Sequence, residues 1–280
     1  MPSKHNAGQM FALVVVCALF HAGTRSVHAH GSANDRIEVL GVAIAREPTH
    51  VEFLVERADL YREIGELSHA LADYERALRL DPARDSLHLA RALTLVEQGD
   101  FAEALVSVDT FIDRDPDHPR AWRVRAGALS ALHRVADAIS SLNCAIALAD
   151  PPAPEDYLRR AELLASLGPS SLDIAIAGLD DGLEKLGPAV TLQLFAVELE
   201  RRRGTYDAAL TRLDEMQRQY DRVESVLALR GDILAQAGRD QEADAAYTDA
   251  LQAIEEWLSH GPTTPAARRL KAELLHKLEI

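Results

Sequence analysis

Cysteine is nearly missing from this 280-residue chain, which has two, Cys17 and Cys144. Cys17 falls in an N-terminal segment with the marks of a removable leader, so the remaining chain cannot close an intramolecular disulfide. Cys144 is expected to be a packed small apolar residue. Histidines such as His69, His88, His118 and His276 are scattered without zinc-ligand spacing. No phosphate-cradling glycine loop, nucleophile elbow or zinc-protease helix motif is present, so no catalytic residue, metal or cofactor is expected and the chain does not read as an enzyme. Positive charge is also short: 30 Lys and Arg stand against 44 Asp and Glu, for a net charge of -14. Nucleic-acid binding rests on neutralising phosphates with Lys and Arg, so no nucleic-acid partner is expected, and basic or mixed partners fit better.

Long apolar runs are absent but for one. Met10 to Phe20 is an uninterrupted stretch of 11 residues, preceded by Lys4 and followed by the small-residue site Val27, His28, Ala29. Residues 1–29 read as a secretory signal peptide, which places the protein in the periplasm or outside the cell. The run is short against the roughly 20 apolar residues of a membrane span, so a membrane association is expected only if this segment is kept as an anchor. Val16 before Cys17 departs from the small residue of a lipoprotein acylation site. Cleavage after Ala29 removes Lys4 and Arg25, leaves a net charge of -16 and puts His30 first. An amino-terminal histidine can bind copper through its amine and ring nitrogen, but such a brace needs a second histidine, and the nearest remaining one is His50. A copper-binding accessory protein using His30 is therefore one alternative reading, and an enzyme with an unrecognised site is another.

What the chain does have is punctuation. Gly65, Gly99, His133, Gly168, Gly204 and Gly238 follow one another at intervals of 34, 34, 35, 36 and 34. Self-similarity at that period means stacked supersecondary repeats, each of which reads as two helices. The first helix has a small residue near its middle with apolar neighbours three or four away, as in Ala58 with Leu54 and Tyr61, Ala126 with Trp122 and Leu129, and Ala161 with Tyr157 and Leu164. The second helix repeats an alanine, an apolar residue four later and a small or apolar one three after that. Ala70, Tyr74 and Ala77 set the pattern, which returns as Ala104, Val108, Phe111, as Ala138, Leu142, Ala145, and as Ala243, Tyr247, Ala250. Alanine at a crossing lets two helices approach closely while larger neighbours fill the groove.

Prolines close the repeats at Pro82, Pro116, Pro151 and Pro188, and Pro48 stands before the first. With its alanine, glycine, aromatic and proline positions assembled, the pattern resembles the tetratricopeptide repeat, strongest from Val51 to Pro116. The resemblance implies an all-α fold, an α-solenoid of about six helix-turn-helix repeats over residues 51–254. Residues 30–50 are expected to be a tail and cap helix with Asn34 or Asp35 as N-cap, and 255–280 a C-terminal capping helix opened by Pro265. Departures fall at His133, at two extra residues near Pro169 to Ser171, and at Gln193 and Val197.

The resemblance further implies an exported scaffold or adaptor whose first helices line a concave groove for a protein or peptide partner. Carried over by position, the groove includes Arg62, Leu89, Leu93, Arg120, Arg123, Glu155, Leu158 and Glu162, with Arg120 and Arg123 facing Glu155 and Glu162 beside an apolar strip. Val55 and Asp59 stand where the family's chaperone-tail binders carry lysine and asparagine, so their carboxylate clamp is not expected. Arg57, Arg91, Arg125, Arg160 and Arg230, one before each small residue, read as a structural ladder with partners such as Asp59, Asp73 or Glu162.

Overall fold

In the computed structural model, residues 27–220, 223–261 and 263–279 are described, with side chains from Ala33 onward. Among them are 14 α-helices, one 3-10 turn and no strand. Most of the expected leader lies outside the described residues, as does the side chain of His30. The chain forms two compact units, one ending at Gln98 and one beginning at Gly99.

The first unit holds α1 (Val27–Arg46), α2 (Val51–Glu63), α3 (Leu67–Leu80) and α4 (Asp85–Gln98). Each helix packs on the next. Ala58, Ala70, Tyr74 and Ala77 share a core with Ile44, Leu54 and Leu87. Ala33, Leu40 and Leu60 form a second cluster, which fixes α1 on α2. Asn34 and Asp35, expected at the N-cap, lie inside α1, because the apolar register that buries Leu40 continues upstream to Ala33.

In the second unit are α5 (Phe101–Ile112), α6 (Pro119–Ala131), α7 (Val135–Leu148), α8 (Pro154–Ser166), α9 (Leu172–Leu186), α10 (Val190–Arg203), α11 (Tyr206–Gln219), α12 (Glu224–Gln236), α13 (Asp240–His260) and α14 (Pro265–Lys277). Its alanines at the expected crossings, Ala104, Ala126, Ala138, Ala161 and Ala243, are all buried. The extra residues near Pro169 become the 3-10 turn Pro169–Ser171. Gln193, an unexpected polar residue in a core position, donates to the Gln219 side chain at 3.0 Å and accepts from the Tyr220 hydroxyl at 3.2 Å, so its burial leaves its amide satisfied. α13 runs on through Trp257 to stop before Gly261, and Pro265 opens α14. Thr264 caps α14 by accepting from the Ala267 amide.

The six punctuating residues all have positive φ, including His133 at 59°, but Gly168, at φ 108° and ψ −176°, leads into the 3-10 turn and does not take the αL conformation of Gly204. Around Gly65 the Glu66 amide reaches back to the Tyr61 carbonyl and the Gly65 amide to that of Arg62. This paired closure ends a helix with one left-handed residue. Around His133 the same two bonds run from Arg134 to Leu129 and from His133 to Ser130. The period in the sequence is thus the period of a helix stop at a residue with positive φ.

Candidate partner-binding face

The arginine ladder exists, and it is structural. Arg57 donates to Asp73 from Nε and Nη2, both at 2.7 Å. Arg125 donates to Asp109 at 2.7 Å and to the Ser141 hydroxyl at 2.8 Å, so it joins the second helix of the preceding repeat to that of its own. Arg91 pairs with Glu75, Arg230 with Asp214, and Arg160 bonds Asn143 and the Gly178 carbonyl. Of the expected partners only Asp73 is used. Asp59 instead accepts from the Tyr74 hydroxyl at 2.5 Å.

In the first unit, the first-helix face opens into a cleft of about 570 Å³ lined by Asp59, Arg62, Glu63, Gly65, Leu67 and Glu97. Arg62, half-buried, lies 3.5 Å from Glu97. Leu93 is also half-buried, but Leu89, expected on the open face, is only 8% exposed and belongs to the packing instead. Tyr74 has its pKa raised by burial and by the hydrogen bond to Asp59, which keeps the hydroxyl a donor.

In the second unit Arg120 and Glu155 are exposed and Leu158 is half-buried. Arg123 does not face Glu155 or Glu162. Its Nε donates at 2.7 Å to Asp156, whose carboxylate is buried in the first turn of α8. An acid there also faces the positive end of the helix. Glu162 is exposed as a residue, yet partial desolvation pushes its carboxyl above the usual range, with Arg159 acting in the opposite direction. On the neighbouring first helix α10, Val190 and Leu194 are 42% and 40% exposed, large values for apolar side chains. Sequence reading missed Asp156 and the Tyr-Asp contact. The second had a signal: Asp and Tyr recur fifteen residues apart at Asp59 and Tyr74 and at Asp232 and Tyr247.

No group of three His, Cys, Asp or Glu residues is placed to hold a metal among the described residues, and none of their helices is long and apolar enough to cross a membrane. Cys144 is a half-buried free thiol.

Helix pairs packed through alanine and punctuated by residues of positive φ define an all-α repeat protein. Family models agree: "Tetratricopeptide repeat-like domain" matches residues 171–262, "TPR repeat" matches 58–99 and "Tetratricopeptide repeat" matches 89–168. The chain belongs to the tetratricopeptide repeat family and has its α-solenoid fold. Among solved structures it is similar to a tetratricopeptide repeat protein from Parabacteroides merdae, with a TM-score of 0.56 and 21% identity over 81% of this chain and 86% of that one. It is also similar to MamA from Desulfovibrio magneticus, with a TM-score of 0.52 and 16% identity over 58% of this chain and 91% of that one. A curated relative is the tetratricopeptide repeat and J domain-containing co-chaperone DNJ1 of Cryptococcus neoformans, 33% identical over 89 residues, which are 32% of this chain and 17% of the relative. Family and fold support a scaffold for protein–protein interaction, a role that is generally not catalytic.

Proposed function

We propose that this protein is an exported, non-catalytic scaffold or adaptor, periplasmic or secreted, that binds a protein or peptide partner along the concave face of its first helices. The observation that carries this reading is the surface of the neighbouring helices α8 and α10. Leu158, Val190 and Leu194 leave apolar area accessible there, while Glu155 and Glu162 supply charge on α8. An apolar strip flanked by charge suits a peptide with an apolar anchor and a charged flank. The export part rests on the sequence of residues 1–29 alone.

The test is capture of partners from an envelope extract by the full chain and by a Leu158→Asp, Leu194→Asp variant, followed by direct binding of any protein recovered. A partner that binds the parent chain and is lost with the folded variant supports the reading; equal binding by both moves recognition to another face. Mass spectrometry of the protein isolated from its own cells gives the mature N-terminus, and an intact Met1 in a cytoplasmic fraction ends the export reading.

A further inference from the structure

Repeat arrays stay soluble because the helix that closes each end keeps a polar outer face. Helix α1 departs from that rule. Ala33, Leu40 and Ile44 are buried on its inner side. On the opposite side Asp35, Val39, Val42 and Arg46 stand at spacings of four, three and four, which at about 100° per residue keeps them within about 60° of arc. Val39 is 69% exposed and Val42 51%, where an end helix is expected to carry polar side chains. The two ends of this strip have opposite charge. Asp35 and Arg46 are exposed and form no ion pair with any other described residue, whereas Arg36, one position round the helix from Asp35, is tied to Glu56 of α2 at 2.6 Å.

We propose that this strip is an interface between two copies of the chain, packed antiparallel about a two-fold axis that passes between Val39 and Val42. A spacing of four, three and four reads the same in both directions. When α1 is laid antiparallel on a second α1, Asp35 therefore meets Arg46 of the second copy at one end, and Arg46 meets Asp35 of the second copy at the other. Val39 and Val42 alternate in the seam between them, so both ion pairs form as the valines leave water. The flanking acid Glu38 falls opposite Ala43 of the second copy, and no like charges meet. Parallel pairing would instead set Asp35 on Asp35 and Arg46 on Arg46. Stacking in series, with α1 of one copy antiparallel to α14 of the next, would turn Arg46 towards Arg268 and Arg269 near the start of α14, and Asp35 towards Glu279. The charge order thus favours a closed pair over an open chain of copies. A seam about 16 Å long, with two apolar residues from each copy, belongs to the small and weak class of interfaces. The inference stands apart from the peptide-binding reading, because the strip lies on an end helix and not on α8 or α10.

The test follows the chain, purified from the cells that make it, by sedimentation velocity over about 1–200 μM. The parent is expected to pass from monomer to dimer in that range, and at higher concentration as salt is raised. Asp35→Arg and Arg46→Asp each set like charges together at both ends of the seam and, with helix content unchanged, should each weaken the dimer about tenfold or more. An equimolar mixture of those two variants should restore it, because each chain then supplies the charge that the other lacks. Val39→Asp should leave a folded monomer. A parent that stays monomeric throughout, a dimer unmoved by these changes, or a mixture no more associated than its two components overturns the proposal. Steady growth to larger species overturns it in favour of stacking in series, and a different protein held through Val39 and Val42 by a monomeric chain overturns it in favour of that partner.

Discussion

Arg57 and Asp73 are joined fork to fork, Nε to Oδ2 and Nη2 to Oδ1, between the two helices of the first repeat. Both side chains are largely withdrawn from water. A buried ion pair offsets much of its attraction by desolvation, but removing one partner strands the other. Arg57→Met is therefore expected to lower stability by about 2–3 kcal/mol in urea unfolding, while the double variant Arg57→Met, Asp73→Leu should recover most of that loss. A double variant as unstable as the single one would show that packing around Arg57, and not its charge, is what matters.

His133 marks a stop that glycine makes elsewhere. Its φ of 59° places a Cβ-bearing residue in the left-handed region. Replacing it with glycine removes that cost but adds chain entropy to the unfolded state, so His133→Gly should stabilise by about 0.5–1 kcal/mol. A destabilised variant would mean that the exposed imidazole makes a contact worth more than the backbone cost.

The opposite change is expected at Gly231, which occupies in α12 the place of Ala58 in α2 and Ala126 in α6. A Cβ there would lie 2.4 Å from the Tyr247 ring. Gly231→Ala should cost about 2–3 kcal/mol by overpacking, and it should also loosen the bond between Tyr247 and Asp232. Adding Tyr247→Leu copies the Ala126 and Leu142 pair of the third repeat and should restore most of the melting temperature. Failure of that rescue would locate the clash in the backbone rather than in the ring.

Glu162 offers a pH test. Desolvation raises its folded-state pKa above the unfolded value, so the folded chain binds this proton more tightly than the unfolded chain does. The corresponding stability is present below the unfolded pKa and is lost as pH rises through the folded one. Glu162→Gln has no proton to lose. Its stability relative to the parent should therefore rise between pH 4 and pH 7. A constant difference across that range would place Glu162 in water.

The Asp156 bond to Arg123 shows where sequence reading stops. A spacing of one repeat says that α6 and α8 are neighbours in the series, and it pointed to Glu155 and Glu162. The acid that Arg123 meets is Asp156, one residue round the helix from Glu155. Successive residues point about 100° apart on a helix, so the choice depends on how far each repeat is rotated against the last. Leu89 fails in the same way: the family's groove positions carried over by resemblance place it on the open face, and in α4 it is buried.

The sequence by itself determined the helix pairs, their alanine crossings and the six punctuating positions, because those features depend on residues within a few positions of one another. It also carried the two extra residues near Pro169, the proline start of α14 and the one-per-repeat arginines. Tertiary structure decided which carboxylate each arginine meets, that α1 runs past Asn34, and that Asp59 borders a cleft. Lys277 is the clearest case. It lies 45 residues from Asp232 in the chain, and it arrives there only because α13 extends 21 residues to His260 before α14 folds back. No local rule connects the two, since the contact is set by the length and packing angle of whole helices.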